Sequence, residues 1–401
     1  MTSAPTTEAA PHNGVDLQEL VTRANNLRDR LWEDAPNVDR NRRLPDSTFE
    51  AMRDAGLLHL LVPKRFGGSG GDMRTYLEVT TALGRGCGSS AWVAGVLNTG
   101  NWLAASYSEQ AQEEVWGNNP LATTASILAP TSSAKSVDGG IVVNGQWGYT
   151  SGVNHCDWVS LCFPSFSPDD PAMQLGLVPV GDLVVEDTWH VSGMRGTGSN
   201  TIIARDLFIP AHRLRSVGPL FAGENATTAQ EPTQRVSLAG ILPLSLVGAQ
   251  LGQAQAALAY VLESAPKRRI TTTTYPSQSV SVGFQVDVAD SASTIDAALA
   301  MCRVAADTLD DYAARGEFPN LTLRTRLRNN MAWAVKHAFQ AVDQLMGAHG
   351  ASGFADSSPL QRIWRDSGIS SRHAVFGTRV AQELYGKAML DQNPFEVTFL
   401  A

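Results

Sequence analysis

The chain has few cysteines, no excess of positive charge and no long apolar run. Its 401 residues include four cysteines (Cys87, Cys156, Cys162 and Cys302), none in the paired spacing of a zinc site. With 39 acidic and 31 basic residues, the formal charge of −8 disfavours nucleic acid and anionic membrane as partners. No apolar run reaches the roughly 18 to 20 residues that span a bilayer, and the polar segment 1–13 is unlike a signal peptide. We therefore expect a cytoplasmic protein without a metal site or a membrane anchor.

Hydrophobic residues make up 43 % of the chain, enough for a large core. Their spacing predicts a disordered tail at 1–16, a helical domain at 17–120, a central β-domain at 121–235 and a helical region at 236–401. Because the strands are grouped in the middle of the chain, a doubly wound parallel sheet is disfavoured. The predicted elements are strands at 141–147, 158–163, 183–185 and 201–209, and helices at 75–83, 91–102, 244–261, 287–315, 321–346 and 359–392.

Two glycine-rich strings are candidates for cofactor binding. The string from Gly86 to Ala91 matches the dinucleotide fingerprint GxGxxA, but it lies between two predicted helices, whereas that fingerprint needs a preceding strand. We interpret it as a turn between helices, with Ser89 or Ser90 as N-cap. The string from Gly193 to Ser199 leads into a predicted strand and either contacts an anion or a flavin edge or simply turns a hairpin.

Single aromatic and imidazole side chains also fall near these loops. Trp92 begins a predicted helix among small residues, where its ring could face a flat ligand. His155, His190 and His349 lie closest to the loops of interest, although most histidines in a protein are structural.

Six strings together resemble the acyl-CoA dehydrogenase fold, and most closely the oxygenase components of two-component flavin-dependent aromatic hydroxylases such as p-hydroxyphenylacetate hydroxylase. The resemblance covers about residues 17–392. The strings, in the family's order, are LVPxxFGG (61–68), GSSAWV (88–93), AQxEVW (111–116), NGxWxYxSG (144–152), GMRGTGSN (193–200) and LQRxWRD (360–366). The resemblance implies a mainly α fold with an N-terminal helical domain, a central antiparallel β-barrel or sandwich, and a C-terminal four-helix bundle.

The resemblance also implies roles for single residues. Ser151 matches the hydroxyl near flavin N5, and His373 matches the histidine that faces the reacting carbon of the substrate. Trp92, Ser126 and Tyr149 match positions that line the flavin ring and the substrate. Arg268 or Arg269 matches the arginine that contacts the flavin phosphate, either in the same subunit or in its partner.

Two departures from the family patterns bear on the reaction. Ala374 stands where thioester dehydrogenases of this fold carry their catalytic glutamate, and 128–131 replaces their Glu-Pro-Gly loop. An acyl-CoA dehydrogenase-like oxidase is therefore disfavoured. Gly100 stands where aromatic hydroxylases usually keep a second histidine, so we expect extra space in the substrate pocket at that position.

The resemblance implies an aromatic hydroxylase that acts on a phenolic or polycyclic substrate through a flavin C4a-hydroperoxide. The reaction would need O2 and reduced FMN or FAD, with a slight preference for FMN, supplied by a separate NAD(P)H flavin reductase. With an ordinary pKa near 6.5, His373 could take the phenolic proton. An N- or S-oxygenase on the same fold and a non-catalytic binding protein remain alternatives, and a homotetramer is expected from the likeness alone.

Overall fold

The computed structural model describes residues 16–166, 172–377 and 379–398. The predicted tail at 1–16 lies outside the described residues except for Asp16. The carboxylate of Asp16 accepts a hydrogen bond from the Gln18 N–H at 3.0 Å and so caps the first helix.

Six helices form the N-terminal part of the chain. They are α1 (Leu17–Asn26), α2 (Arg28–Asn41), α3 (Asp46–Asp54), α4 (Met73–Gly86), α5 (Gly88–Ala104) and α6 (Glu109–Trp116). The turn between α4 and α5 confirms the interpretation of the GxGxxA string. The predicted serine cap is wrong, because α5 begins at Gly88 and the extended Cys87 occupies the cap position without a side-chain hydrogen bond.

Two four-stranded sheets follow, with strand orders β1-β4-β5-β8 and β2-β3-β7-β6. The strands are β1 (Thr124–Ile127), β2 (Ser132–Val137), β3 (Gly140–Thr150), β4 (Trp158–Phe163), β5 (Gln174–Pro179), β6 (Val184–Glu186), β7 (Asn200–Pro210) and β8 (Leu214–Ser216). The predicted antiparallel arrangement holds except for β1, which runs parallel to β4. Within the described residues the two sheets are separate and form no closed barrel.

Helices return after the second sheet. They are α7 (Val217–Phe221), α8 (Glu224–Thr228), α9 (Leu238–Ser264), α10 (Val282–Arg315), α11 (Leu321–His349), α12 (Pro359–Ser370) and α13 (Val380–Met389). The predicted continuous helix at 359–392 is wrong: α12 ends at Ser370, and a turn at 371–377, which contains His373, separates it from α13. The division at 120/121 and 235/236 remains a prediction.

The glycine-rich loop at 193–199 is packed against the last helices of the chain. A Cβ placed on Gly193 would lie 2.4 Å from the carbonyl oxygen of Arg365 in α12, so only glycine allows this approach. The next residue, Met194, has a left-handed backbone with φ 51° and donates its N–H to the buried Asp366 carboxylate. The loop therefore joins the second sheet to α12. The predicted alternative of a simple hairpin turn does not describe it.

None of the helices in the part of the chain that the structure describes combines the length and the apolar character needed to cross a membrane.

The close approach at Gly193 should make this position intolerant of substitution. We expect Gly193→Ala to push the loop away from α12 and to lower the free energy of unfolding by roughly 1 to 3 kcal/mol, the usual cost of overpacking. Denaturant unfolding would measure it. Gly181→Ala is the matched control, because nothing lies within 4 Å of a Cβ at Gly181. Equal stability of the two variants would contradict the predicted close packing.

Candidate functional site

Three of the predicted site residues meet between the first helices, the second sheet and the turn at 371–377. The indole N–H of Trp92, near the start of α5, donates to the hydroxyl of Ser151 at 3.2 Å. The rings of Trp92 and His373 lie edge to face, with centroids 5.5 Å apart. Segments distant in sequence thus bring an indole, a hydroxyl and an imidazole together.

The Ser151 hydroxyl also belongs to a chain of buried hydroxyl groups. It lies 2.7 Å from the hydroxyl of Ser199, which lies 2.7 Å from the hydroxyl of Thr197. Thr197 in turn donates to the carbonyl oxygen of Met194 at 2.8 Å. The backbone supports the same contact, because the N–H of Gly152 donates to the carbonyl oxygen of Thr197 at 3.0 Å. The turn that carries Ser151 is therefore held by the 193–199 loop.

His373 is exposed at the turn, with its imidazole packed against the rings of Trp92 and Phe376. Desolvation by the surrounding protein lowers the pKa of His373 to about 4, below the ordinary value near 6.5 that the role of a base assumes. The Nδ1 atom accepts a hydrogen bond from the backbone N–H of Val375 at 3.3 Å. Because a backbone N–H can only donate, the proton of the neutral ring is on Nε2 in this conformation.

Tyr149 presents a flat aromatic surface two residues before Ser151. Its ring is 75 % exposed and packs edge to face on Trp189, with centroids 5.5 Å apart. Its backbone is left-handed, with φ 63°, where β3 loses its regular pairing with β7. A bulky residue in this conformation is strained, and such strain is concentrated at functional sites.

Arg268 and Arg269 lie elsewhere, beside a cavity of about 580 Å³ between the end of α9 and the end of α11. The guanidinium of Arg268 donates to the carbonyl oxygen of His349 at 3.1 Å and to the hydroxyl of Ser352. Its Nε atom and the side-chain oxygen of Gln278 are buried without a hydrogen-bond partner among the described residues. Arg269 is exposed at the same cavity. The unpaired Arg268 Nε–H and the guanidinium of Arg269 are donors that fit an anionic group such as a phosphate, whereas the Gln278 oxygen is an acceptor and would not bind it.

Gly100 does not open the pocket. A Cβ at this position would lie 1.8 Å from the carbonyl oxygen of Thr124, the first residue of β1. Asn101, the residue after Gly100, stabilises this contact between α5 and β1, because its side-chain oxygen accepts from the Thr124 N–H at 2.8 Å. The expectation of extra space at Gly100 is therefore wrong: the backbone of β1 occupies the space. Ser126 lies half-buried two residues along β1, paired with Ser160 of β4.

The three histidines near the loops have other surroundings. His155 is stacked on Phe49, with centroids 4.7 Å apart, and burial lowers its pKa to about 4. His190 is exposed beside Asp187. His349 is buried at the cavity that Arg268 lines.

Sequence reasoning missed Ser199 and Thr197 as residues of the site. Both belong to the string GMRGTGSN, so a signal was present in the sequence. A string shows only that residues are near one another, however, whereas the contact of Ser199 with Ser151 joins residues 48 positions apart.

Comparison with known proteins gives two family models and several relatives over most of the chain. The models are the acyl-CoA dehydrogenase N-terminal domain at residues 17–121 and the C-terminal domain at residues 244–378. The oxygenase subunit HsaA of a flavin-dependent monooxygenase from Mycobacterium tuberculosis is 32 % identical, over 92 % of this chain and 95 % of that protein. The oxygenase component of the FADH2-dependent resorcinol hydroxylase from Rhizobium is 31 % identical, over 94 % of this chain and 95 % of that one.

A solved structure agrees with these relatives. XiaF from Streptomyces, solved with FADH2 and glycerol, has a TM-score of 0.90 and 37 % sequence identity, and the match covers 94 % of this chain and 96 % of XiaF. The arrangement of Trp92, Ser151 and His373 is thus found in a chain that belongs to the flavin-dependent monooxygenase oxygenase subunits built on the acyl-CoA dehydrogenase fold.

Proposed function

We propose that the protein hydroxylates an aromatic substrate, phenolic or polycyclic, with O2 and a reduced flavin supplied by a separate NAD(P)H flavin reductase. The observation that carries the proposal is the turn at 371–377, which holds a neutral imidazole against Trp92 and has Ala374 where thioester dehydrogenases have a glutamate. A site without that carboxylate lacks the base for thioester oxidation. A homotetramer and a cytoplasmic location remain predictions.

The residues present fit a flavin. The exposed ring of Tyr149 offers a stacking surface, the hydroxyl of Ser151 lies two residues further on, and the cavity beside Arg268 offers an unpaired guanidinium N–H to a phosphate. When bound, reduced flavin supplies the electrons that activate O2 for transfer to the substrate. Trp92, Ser126 and Tyr149 would line the ring and the substrate, and Trp92 with His373 would exclude water from the reacting atoms.

We revise the role of His373 from a base to a hydrogen-bond donor. Its neutral ring carries the proton on Nε2, and the Nδ1 atom accepts from Val375, so uptake of a further proton would break that contact. An Nε2–H donor stabilises the ionised form of a phenol that has released its proton to solvent, and the ring carbon of this ionised form is more nucleophilic than that of the neutral phenol. The low pKa of about 4 keeps the imidazole in this form at neutral pH.

Of the two flavins we propose FAD. The resorcinol hydroxylase from Rhizobium is named FADH2-dependent, and XiaF was solved with FADH2. Both are more than 30 % identical to this chain. The slight preference for FMN drawn from the sequence is therefore replaced by a proposal of FAD.

Substitution of His373 should separate binding from hydroxylation. We expect His373→Ala to retain flavin binding but to lose roughly a hundred- to a thousand-fold in hydroxylation, as when a catalytic donor is removed, with oxygen uptake ending as hydrogen peroxide. His373→Gln, which keeps an N–H donor, should recover part of the rate. Product formation per O2 consumed is the measurement.

The pH dependence supplies the control for this role. Because the pKa of His373 is lowered to about 4, the imidazole keeps one protonation state across pH 6.5, and the wild-type rate should show no step there. Loss of activity through pH 6.5, or an inactive His373→Gln variant, would contradict the donor role.

The source of electrons can be tested with the isolated protein. The GxGxxA string lies in a turn between two helices and not after a strand, so we expect NADH or NADPH alone to leave added flavin oxidised. Addition of a flavin reductase should restore turnover. Rapid reduction without the reductase, followed at the flavin absorbance, would overturn the two-component proposal.

The arginine cavity can be tested by affinity for the reduced flavin. Arg269→Ala should weaken FADH2 binding by roughly ten-fold, because a charge-assisted hydrogen bond to phosphate is lost. Lys267→Ala is the matched control, since Lys267 is an exposed cation two residues away, paired with Glu263 at 3.7 Å. Anaerobic titration with FADH2 and FMNH2 measures both variants. An equal effect of the two variants would rule out this phosphate site, and tighter binding of FMNH2 would rule out FAD.

A further inference from the structure

We propose that Ser199 and Thr197 are positioning residues that fix the direction of the Ser151 hydroxyl and so make the site selective for reduced over oxidised flavin. The proposal rests on the proposed function and extends it to two residues that do not themselves face the flavin. It concerns the direction of hydrogen bonds, which is determined by the donors and acceptors at the two ends of the hydroxyl chain.

The last hydroxyl in the chain has only one possible direction. The oxygen of Thr197 lies 2.8 Å from the carbonyl oxygen of Met194. A carbonyl oxygen cannot donate, and two oxygens at this distance without a proton between them repel each other. The hydroxyl proton of Thr197 therefore points to Met194.

The direction then passes to the other two hydroxyls. Since the single proton of Thr197 is used, the contact of 2.7 Å between Thr197 and Ser199 must be donated by Ser199. By the same reasoning, the contact of 2.7 Å between Ser199 and Ser151 must be donated by Ser151. At the other end, the Trp92 indole N–H can only donate, and it donates to the Ser151 oxygen at 3.2 Å.

Burial prevents water from changing this direction. Trp92, Thr197 and Ser199 are 7 %, 2 % and 4 % exposed, so a proton turned out of the chain at these residues would have no partner to replace the one it lost. Ser151 is half-buried, and its proton is held instead by the contact with Ser199, because the two oxygens 2.7 Å apart would repel each other without it. The carbonyl at the end of the chain is also held in place, because it accepts from the Trp189 indole N–H at 3.0 Å and from the Thr197 backbone N–H at 3.2 Å. The order of donors is therefore a property of the folded protein.

As a consequence, the Ser151 oxygen presents a lone pair, and not a proton, to a bound flavin at the N5 position. Reduced flavin carries a hydrogen on N5 and donates there, whereas N5 of oxidised flavin has only a lone pair. Ser151 in this orientation complements the reduced form and opposes the oxidised form. The protein would then take up the flavin delivered by a reductase and release it after oxidation.

Removal of Ser199 as acceptor should reduce the selectivity for reduced flavin. In Ser199→Ala the Ser151 proton can turn towards N5, so oxidised flavin should bind more tightly and reduced flavin more weakly. The dissociation constant of oxidised flavin divided by that of reduced flavin should fall by about ten-fold, the value of one neutral hydrogen bond. The midpoint potential of the bound flavin should therefore fall by about 30 mV, because a ten-fold change corresponds to that shift for two electrons. Anaerobic titrations and a reference-dye potential measure these two quantities.

Thr197 supplies an independent pair of variants. Thr197→Val removes the acceptor of the Ser199 proton, so it should shift the ratio and the potential in the same direction, and Thr197→Ser, which keeps the hydroxyl, should leave both at the wild-type values. A loss of structure alone would weaken both redox forms equally and leave the ratio unchanged.

The two levels of the proposal fail in different ways. An unchanged ratio in Thr197→Val and Ser199→Ala, with both flavin forms still bound, would overturn the role of these residues and leave the proposed function standing. Failure of the wild-type protein to bind either flavin form would overturn the proposed function, and the role of Ser199 and Thr197 with it.

Discussion

The hydrogen bond from the Met194 N–H to the Asp366 carboxylate is the contact on which the site depends. It joins the loop before β7 to α12, across 172 residues of sequence. The same residue ends the hydroxyl chain with its carbonyl oxygen, so the two peptide groups that flank the Cα of Met194 contact α12 and the hydroxyl chain respectively. Burial raises the pKa of Asp366 to about 6, while the Met194 N–H opposes that rise by stabilising the ionised carboxylate.

Further charged groups hold the loop against α2. The Arg195 guanidinium donates to the carbonyl oxygen of Asp39 at 2.9 Å, and the Asp39 carboxylate pairs with Arg365 of α12 at 3.2 Å. A Cβ on Gly196 would lie 2.0 Å from the side chain of Val38, also in α2. The 193–199 loop thus touches elements from the beginning and the end of the chain. Partly buried ion pairs add modest stability on their own. Here they hold the 193–199 loop in place, and the position of this loop determines where Ser199 lies.

The sequence predicted the elements whose pattern is local. The strands at 141–147, 158–163 and 201–209 and the helices α9, α10 and α11 lie where the periodicity placed them. The short strands β1, β2, β5 and β8 were missed. Three of them, β1, β2 and β8, contain at most two apolar residues each, too few to show an alternating pattern. The break after Ser370 was also missed, since the apolar pattern continues across the turn. The extra space expected at Gly100 is absent because the backbone of β1 passes there. No pattern within the sequence of α5 can predict the path of β1.

The resemblance predicted single site residues but could not predict the state of their protons. Trp92, Ser151 and His373 do meet, as two contacts show. The protonation of His373, however, depends on the packing around its ring and on the backbone of Val375, neither of which a sequence string records. An anionic carboxylate at this position would favour removal of a proton from a substrate carbon. A neutral imidazole with its proton on Nε2 places no negative charge beside an electron-rich flavin and offers a donor to developing negative charge instead. A carboxylate at 374 would stabilise positive charge, whereas the N–H of the imidazole at 373 stabilises negative charge. This difference is the physical reason for expecting oxygen transfer and not thioester oxidation on the same fold.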